Sequence, residues 1–429
     1  MSLGLHPECI QRLTEVLGTA IPKLTVEGRM ISVGSFAHLT GIEKVLPKSG
    51  PVRDRLREWV SDAPSFSFFY HRLFRDVRQH KDLNLQGPIA LTALPPYSDP
   101  AATASRLVAE FESLPWHYSF AMRMPSAFGA VFASEIKETQ LSETLELFAP
   151  GPDHEQSFPL TRDHDPTLIP SSILGDATHL DWEPLACYLR QGIDGFVAPH
   201  AATAPMSAFL GSVRSFAGLG IALDLFGAPI LSSGPFPLHA PYLVHRREGD
   251  RFVFDSQCEW SATHAKHFTN LELGSRAPRA VPEAGVWMRR ILQQIATAFS
   301  EDEKARKIRL AAHWLFDSLC EDDNALGFVQ ATVVMEVLLG DKRITDLIGL
   351  GELLANRCAY LIARSRKSRD HLLKEFRTIY GIRSAIVHGG HSSLTTEEYG
   401  LLWRLRLLCM RVIRREIELL EKDSEEGRE

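Results

Sequence analysis

The sequence predicts an α+β protein in which an N-terminal mixed α/β region precedes an all-helical region. Three observations carry that expectation. All 25 prolines of the 429-residue chain lie at or before Pro282, and the 147 residues that follow contain none. Helix interiors exclude proline at about 3 kcal/mol, so a long proline-free stretch reads as successive helices. Before that point, short apolar alternations separated by Pro and Gly read as strands and turns. After it, apolar residues recur at helical spacing in six segments joined by short loops, the pattern of an antiparallel bundle. The boundary falls in the loop Gly274-Ser275-Arg276-Ala277-Pro278, dividing the chain into 1–280 and 285–425.

Taken in order, Cys9 to Leu17 has helical spacing and Leu24 to Val33 alternates as a strand. Ser65 to Phe69 is a short aromatic strand candidate, Pro88 to Leu94 a second, and Ala127 to Ala133 a third. Ala101 to Leu114 is helical, and residues 150–170 form a loop rich in Pro and Asp. Tyr242 to His245, a turn over Glu248-Gly249-Asp250, and Arg251 to Phe254 make a β-hairpin. Helices are expected at about 285–299, 301–320, 325–339, 346–363, 368–388 and 395–422. Asp346, Ser368 and Thr395 suit caps or first turns, and Gly340 and Gly389-Gly390 suit stops.

Composition bounds the function classes. Charged residues make up 23%, hydrophobic residues 45%, and the net charge is -6; mean hydropathy is -0.09 and the pI is near 6.3. Neither a disordered chain nor a coiled coil fits. Six cysteines at long spacings form no Cys-x-x-Cys pair, so free thiols in a cytoplasmic protein are expected. The most apolar window, Ala208 to Ile230, is broken by Arg214 and Asp224, so no membrane partner is expected. Gly218-Leu219-Gly220 lacks the third glycine of a dinucleotide loop. Cys258, His264 and His267 lack a fourth ligand, and His388 with His391 lacks a carboxylate. The acidic and histidine residues Asp153, His154, Asp163, His164, Asp165, Asp176, His179 and Asp181 read as a solvated loop rather than a metal site. No metal and no cofactor are expected.

The chemistry concentrates in Phe376 to Gly390. At 100° per residue, Phe376, Ile379, Ile386 and Val387 fall within about 60° of Arg383, which places an arginine on an apolar face. A buried charge there needs a partner. Glu336, among Val329, Val333 and Leu339 on its own helix, supplies one. A purely structural ion pair is compatible with the same spacing. His388 lies about 140° from Arg383, on the side of Ser384 and Arg377, just before the helix-ending glycines. A histidine moves protons near neutral pH, and an arginine binds phosphate and offsets transition-state charge. Together they suit RNA cleavage by attack of a 2′-hydroxyl on its own phosphate. Two such helices paired across a dimer would bring two histidines and two arginines together.

Tyr380-x-x-Arg383-Ser384-x-Ile386-Val387-His388-Gly389 resembles the R-x4-H motif of the HEPN superfamily, in the form of its Apea-like branch. Met335-Glu336 before Leu338-Leu339-Gly340 is similar to that branch's upstream helix, and the basic helix Lys304 to Leu319 also fits. The resemblance spans about residues 286–425. It implies a helical domain that homodimerises and a metal-independent endoribonuclease. In it Arg383 and His388 are catalytic, with Ser384, Glu336 and Tyr380 in support. Many members carry Asn, Asp or His where this chain has Ser384. It further implies a role in anti-phage or abortive-infection defence, residues 1–280 sensing a phage-derived trigger or selecting substrate. Some HEPN domains instead only dimerise or bind RNA.

Charge supports an RNA partner. Between Arg357 and Arg415 there are 13 Lys and Arg against 4 Asp and Glu, although the whole chain is acidic. Arg377 beside the motif and the stripe Arg404, Arg411 and Arg415 on the last helix are the candidate RNA contacts, with a plain solvated face as the alternative for the stripe.

Overall fold

The protein is α+β, as expected, with sheets in the N-terminal part and helices in the C-terminal part. The computed structural model describes residues 3–28, 30–79, 87–160, 182–183, 186–198, 201–227, 240–341 and 349–426. The first layer holds helices α1 (Pro7–Ala20), α2 (Pro51–Trp59), α3 (Pro64–Gln79) and α4 (Pro100–Glu112). A small sheet of β1 (Thr25–Glu27), β2 (Met30–Ile31) and β3 (Ile89–Ala90) runs in the order β2-β1-β3. Leu13, Phe68, Phe69, Tyr97 and Phe111 fill its core. The helices expected near Cys9–Leu17 and Ala101–Leu114 are α1 and α4. Asp99 caps α4 by accepting from the N–H groups of Ala101 and Ala102, both at 3.0 Å.

Two expected strands are helices instead. Ser65 to Phe69 lies in α3, where Pro64 occupies the start and Phe68, Phe69, Leu73 and Val77 are buried at helical spacing. Aromatic content had suggested a strand, but the period is 3.6. Ala127 to Ala133 lies in α5 (Ser126–Glu135), which buries Phe128, Val131 and Phe132. The strand expected over Leu24 to Val33 is a short hairpin, β1 and β2, broken at Gly28 with φ +60°. Of Pro88 to Leu94, only Ile89–Ala90 pairs as a strand before a 3-10 turn.

The main sheet comprises β4 (Trp116–Arg123), β5 (Glu138–Gln140), β6 (Leu145–Phe148), β7 (Tyr188–Gly195), β8 (Pro241–Glu248) and β9 (Arg251–Glu259). Its order is β5-β6-β7-β4-β8-β9, with antiparallel neighbours throughout. The expected hairpin is β8 and β9, and Glu248 opposite Arg251 leaves the two-residue loop Gly249-Asp250, with Gly249 at φ +63°. On one face the short helix α6 (His154–Ser157) brings His154 among Phe148, Phe158 and Trp182. His154 therefore packs in an aromatic cluster; Asp163, His164, Asp165, Asp176, His179 and Asp181 lie outside the described residues. Against the other face packs α7 (Ala204–Ala222), through Phe209 on Phe120 and Tyr242. Residues 208–222 of the apolar window lie in this buried helix, and residues 228–230 lie outside the described residues. Among the described residues no helix is long and apolar enough to cross a membrane.

Helix α8 (Ala262–Thr269) leads to α9 (Val281–Ala298), α10 (Glu303–Cys320), α11 (Asn324–Leu339), α12 (Leu350–Ile362), α13 (Arg366–Gly389) and α14 (Thr396–Glu426). All six expected helices are present near their expected bounds, the first starting earlier with Pro282 in its first turn, and the expected cap Asp346 lies outside the described residues. Gly218 on α7 lets the helix lie directly on α10: a Cβ there would collide with the Ala312 carbonyl. This close approach, rather than a nucleotide loop, accounts for Gly218. Through it one continuous core runs from Phe120 and Phe216 to Phe316, Met335, Phe376 and Cys409. Arg414 extends the same connection by donating to the Ala222 carbonyl at the end of α7.

Candidate functional site

Helix α13 carries the Arg–His motif. Its N-cap is Ser365, whose side chain accepts from the Ser368 N–H at 3.2 Å. It ends where Gly390 turns left-handed at φ +67° and its N–H returns to the Ala385 carbonyl. A double glycine allows that turn without a Cβ penalty. Leu372, Phe376, Ile379 and Ile382 are the buried residues of the helix, whereas Val387 is 45% exposed. The buried face is thus rotated toward Ile382, and Arg383 sits at its edge rather than at its centre.

Arg383 and Glu336 meet, as their spacing predicted. Arg383 Nε lies 3.5 Å from Glu336 Oε1, with side chains 25% and 23% exposed. The Nε atom is buried, and its alignment with the carboxylate is that of an ion pair rather than a hydrogen bond. Tyr380 donates its hydroxyl to the same Oε1 at 3.4 Å. Burial, and then the Glu336 charge, push the Tyr380 phenol well above its ordinary value, so it stays a donor. Tyr380 stacks on Phe376 and packs beside Gly351 of α12. Three helices therefore fix the position of Arg383.

His388 is exposed, as are Ser384 and Arg377. Among the described residues it makes no hydrogen bond or ion pair, which leaves its imidazole available to a ligand. It lies five residues beyond Arg383, about 7.5 Å along the axis and on a different side of the helix. Within one chain, then, the structure joins Arg383 with Glu336 and Tyr380, places His388 on the same side of α13 as Ser384 and Arg377, and does not aim Arg383 and His388 at one point.

The arginine stripe lies elsewhere. Arg404 pairs with Glu375 at 3.1 Å, and Glu375 precedes His388 by 13 residues, about 20 Å along α13. Arg411 donates to the Ile362 carbonyl at 3.1 Å and Arg415 pairs with Glu418 at 2.7 Å. With Arg364 and Arg414 these two line a cavity of about 370 Å³. His391 is held by Glu398 at 3.1 Å, while Glu398 also accepts from the Thr395 N–H at 2.8 Å. That N–H, with the hydrogen bond from His391, holds the Glu398 carboxyl below its ordinary range. His391 thus locks the turn into α14. Among the described residues no three His, Cys, Asp or Glu side chains are placed to hold a metal.

Two features escaped the sequence reading. Buried Arg406 donates to Ser318 through its Oγ at 3.1 Å and its carbonyl, and burial pushes the guanidinium down to about 10. Ser261 Oγ lies 2.7 Å from His264 Nδ1, whose Nε2 lies 2.9 Å from Asp317 Oδ1; His313 and Arg214 approach the other carboxylate oxygen. Burial opposes ionisation of Asp317, but these partners hold it well below the usual carboxylate range. The Ser-x-x-His spacing at a helix start was the available signal; Asp317 could be joined to it only by packing. Comparison with protein-family models, curated proteins and solved structures gave no match.

Proposed function

We propose that the C-terminal helices form an Apea-like HEPN ribonuclease module that cleaves RNA without a metal and acts as a homodimer. The observation that carries the reading is the contrast along one helix: Arg383 is held by Glu336 and Tyr380, while His388 stands exposed before the terminating glycines, without a partner among the described residues. In the reaction the 2′-oxygen attacks the adjacent phosphorus and the bond to the 5′-oxygen breaks. The products are a 2′,3′-cyclic phosphate and a 5′-hydroxyl. One proton leaves the 2′-hydroxyl and one reaches the departing 5′-oxygen. His388 carries one of these transfers, and Arg383 offsets the charge on the phosphorane oxygens. Ser384 beside His388 supplies a further hydrogen bond. A second copy of α13 opposite the first would bring Arg383 of one chain toward His388 of the other. In this proposal residues 1–280 sense a phage-derived trigger or select the RNA.

The separation of Arg383 from His388 around the helix favours a second reading, a module that binds RNA or dimerises without cutting. Expression of wild type and His388→Ala in bacteria, followed by mapping of RNA ends, distinguishes them. New ends that appear with wild type and vanish with His388→Ala support cleavage. Identical ends in both, or RNA binding by purified wild type with no cutting of any cellular RNA, refute it. Cleavage that survives His388→Ala and disappears with a chelator would assign activity to another site.

A further inference from the structure

The exposed side of α13 is a basic track that ends at His388. At 100° per residue, Arg366, Asp370, Lys374, Arg377, Gly381 and Ser384 all fall within about 40° of His388. All of them are exposed. Among the described residues Arg366, Lys367, Lys374 and Arg377 have no carboxylate partner, in contrast to Arg404 and Arg415, which do. At the far end Arg366, Lys367, Asp370, His371 and Lys374 line an open groove of about 530 Å³. The first turn of the helix has no acidic residue and carries Arg366 and Lys367 instead. Cations at that pole are opposed by the helix dipole, a small cost that an anion against them offsets. Asp370 is the one carboxylate among the α13 residues on this side. A predominantly basic surface suits a polyanion.

We infer that single-stranded RNA lies along this face of α13, from the Arg366–Lys367 end through Lys374 and Arg377 to His388. The inference rests on the proposed function of His388 and gives its substrate a path. The track runs over 23 residues, whose 22 steps of 1.5 Å span about 33 Å. That length corresponds to about 10 nucleotides at the stacked spacing of ~3.4 Å. Phosphates contact the cations, and Gly381, with no side chain and open space around it, lets the strand pass close to the helix before the scissile phosphate.

The test uses the full chain carrying His388→Ala, so that RNA is not consumed, and fluorescein-labelled single-stranded RNAs of 4 and 12 nucleotides. Anisotropy titrations over a range of salt give affinity and salt slope. Adding Arg366→Ala, Lys374→Ala and Arg377→Ala together should weaken the 12-mer about tenfold or more and lower the slope by about 2, at about 0.7 per lost phosphate contact. The 12-mer should bind more tightly than the 4-mer. Unchanged affinity and slope, equal binding of the two lengths, or loss of binding only when Arg411 and Arg415 are replaced would overturn the inference. A wild type that binds through this face yet cuts nothing would refute the nuclease reading and leave the track standing. A wild type that cuts at His388 with the triple variant unaffected would do the reverse.

Discussion

Arg383 Nε and Tyr380 Oη converge on one oxygen of Glu336, at 3.5 Å and 3.4 Å. Glu336 thus joins α11 to α13 and orients the arginine from behind, leaving its terminal amino groups free of partners among the described residues.

Removing the charge of Glu336 should cost little stability. Both side chains of the pair are about a quarter exposed, and solvent screening limits Glu336→Gln to about 1 kcal/mol or less. Glu336→Ala also strands the half-buried Tyr380 hydroxyl and should cost about 1–3 kcal/mol. Urea denaturation measures both. In the nuclease reading Glu336→Gln loses more cleavage than stability; proportional losses would reduce the pair to a structural role.

His388→Ala should leave folding untouched. The side chain is exposed and has no partner among the described residues, so its removal is worth about 0.5 kcal/mol or less. A circular-dichroism melt coincident with wild type is the expected result, and a large drop in Tm would show that His388 supports the helix end.

Acid should destabilise the sheet through His245. Burial lowers its pKa to about 4, with Arg190 acting in the same direction and the Pro159 carbonyl and Asp255 opposing. The unfolded value is about 6.5, so between roughly pH 6.5 and 4 the unfolded chain binds the extra proton and stability falls with pH. The loss is absent above that window and complete below it. At about pH 5 it amounts to about 2 kcal/mol. Denaturation at pH 7 and pH 5 should show a smaller loss for His245→Phe than for wild type; equal losses would exclude His245 as the cause.

Gly218 and Gly381 should respond in opposite directions. Gly218→Ala drives a methyl into the Ala312 carbonyl and should cost about 1–3 kcal/mol or more as α7 and α10 separate. Gly381→Ala meets open space on a helix surface and should gain about 0.5–1 kcal/mol. Thermal melts of the two variants settle the matter, and a neutral Gly218→Ala would deny the close crossing.

Legibility followed the range of the forces involved. The six helices after Pro282 could be read because proline exclusion, caps and apolar spacing act within a few turns of chain. The same local arithmetic brought Glu336 and Arg383 together, since two charges on apolar faces must pair. It failed at Ser65–Phe69, where aromatic content outweighed helical spacing, and it missed β4 and β7. Tyr118 to Met122 of β4 is buried without interruption, so alternation, the sign of a half-buried strand, is lost.

The sequence alone determined the helical third and the glycine stop after His388, because each depends on backbone preference or on one periodicity. Tertiary structure decided the rest. It set the order of the six-stranded sheet, the joining of Ser261 and His264 to Asp317, and the rotation that puts Arg383 at the edge of its buried face. It also separated Arg411 and Arg415 from His388 and left Arg366, Lys374 and Arg377 without carboxylate partners among the described residues, on the side of α13 that ends at His388. Burial and charge pairing are properties of surfaces that meet, and which surfaces meet is fixed by packing across hundreds of residues rather than by any local pattern.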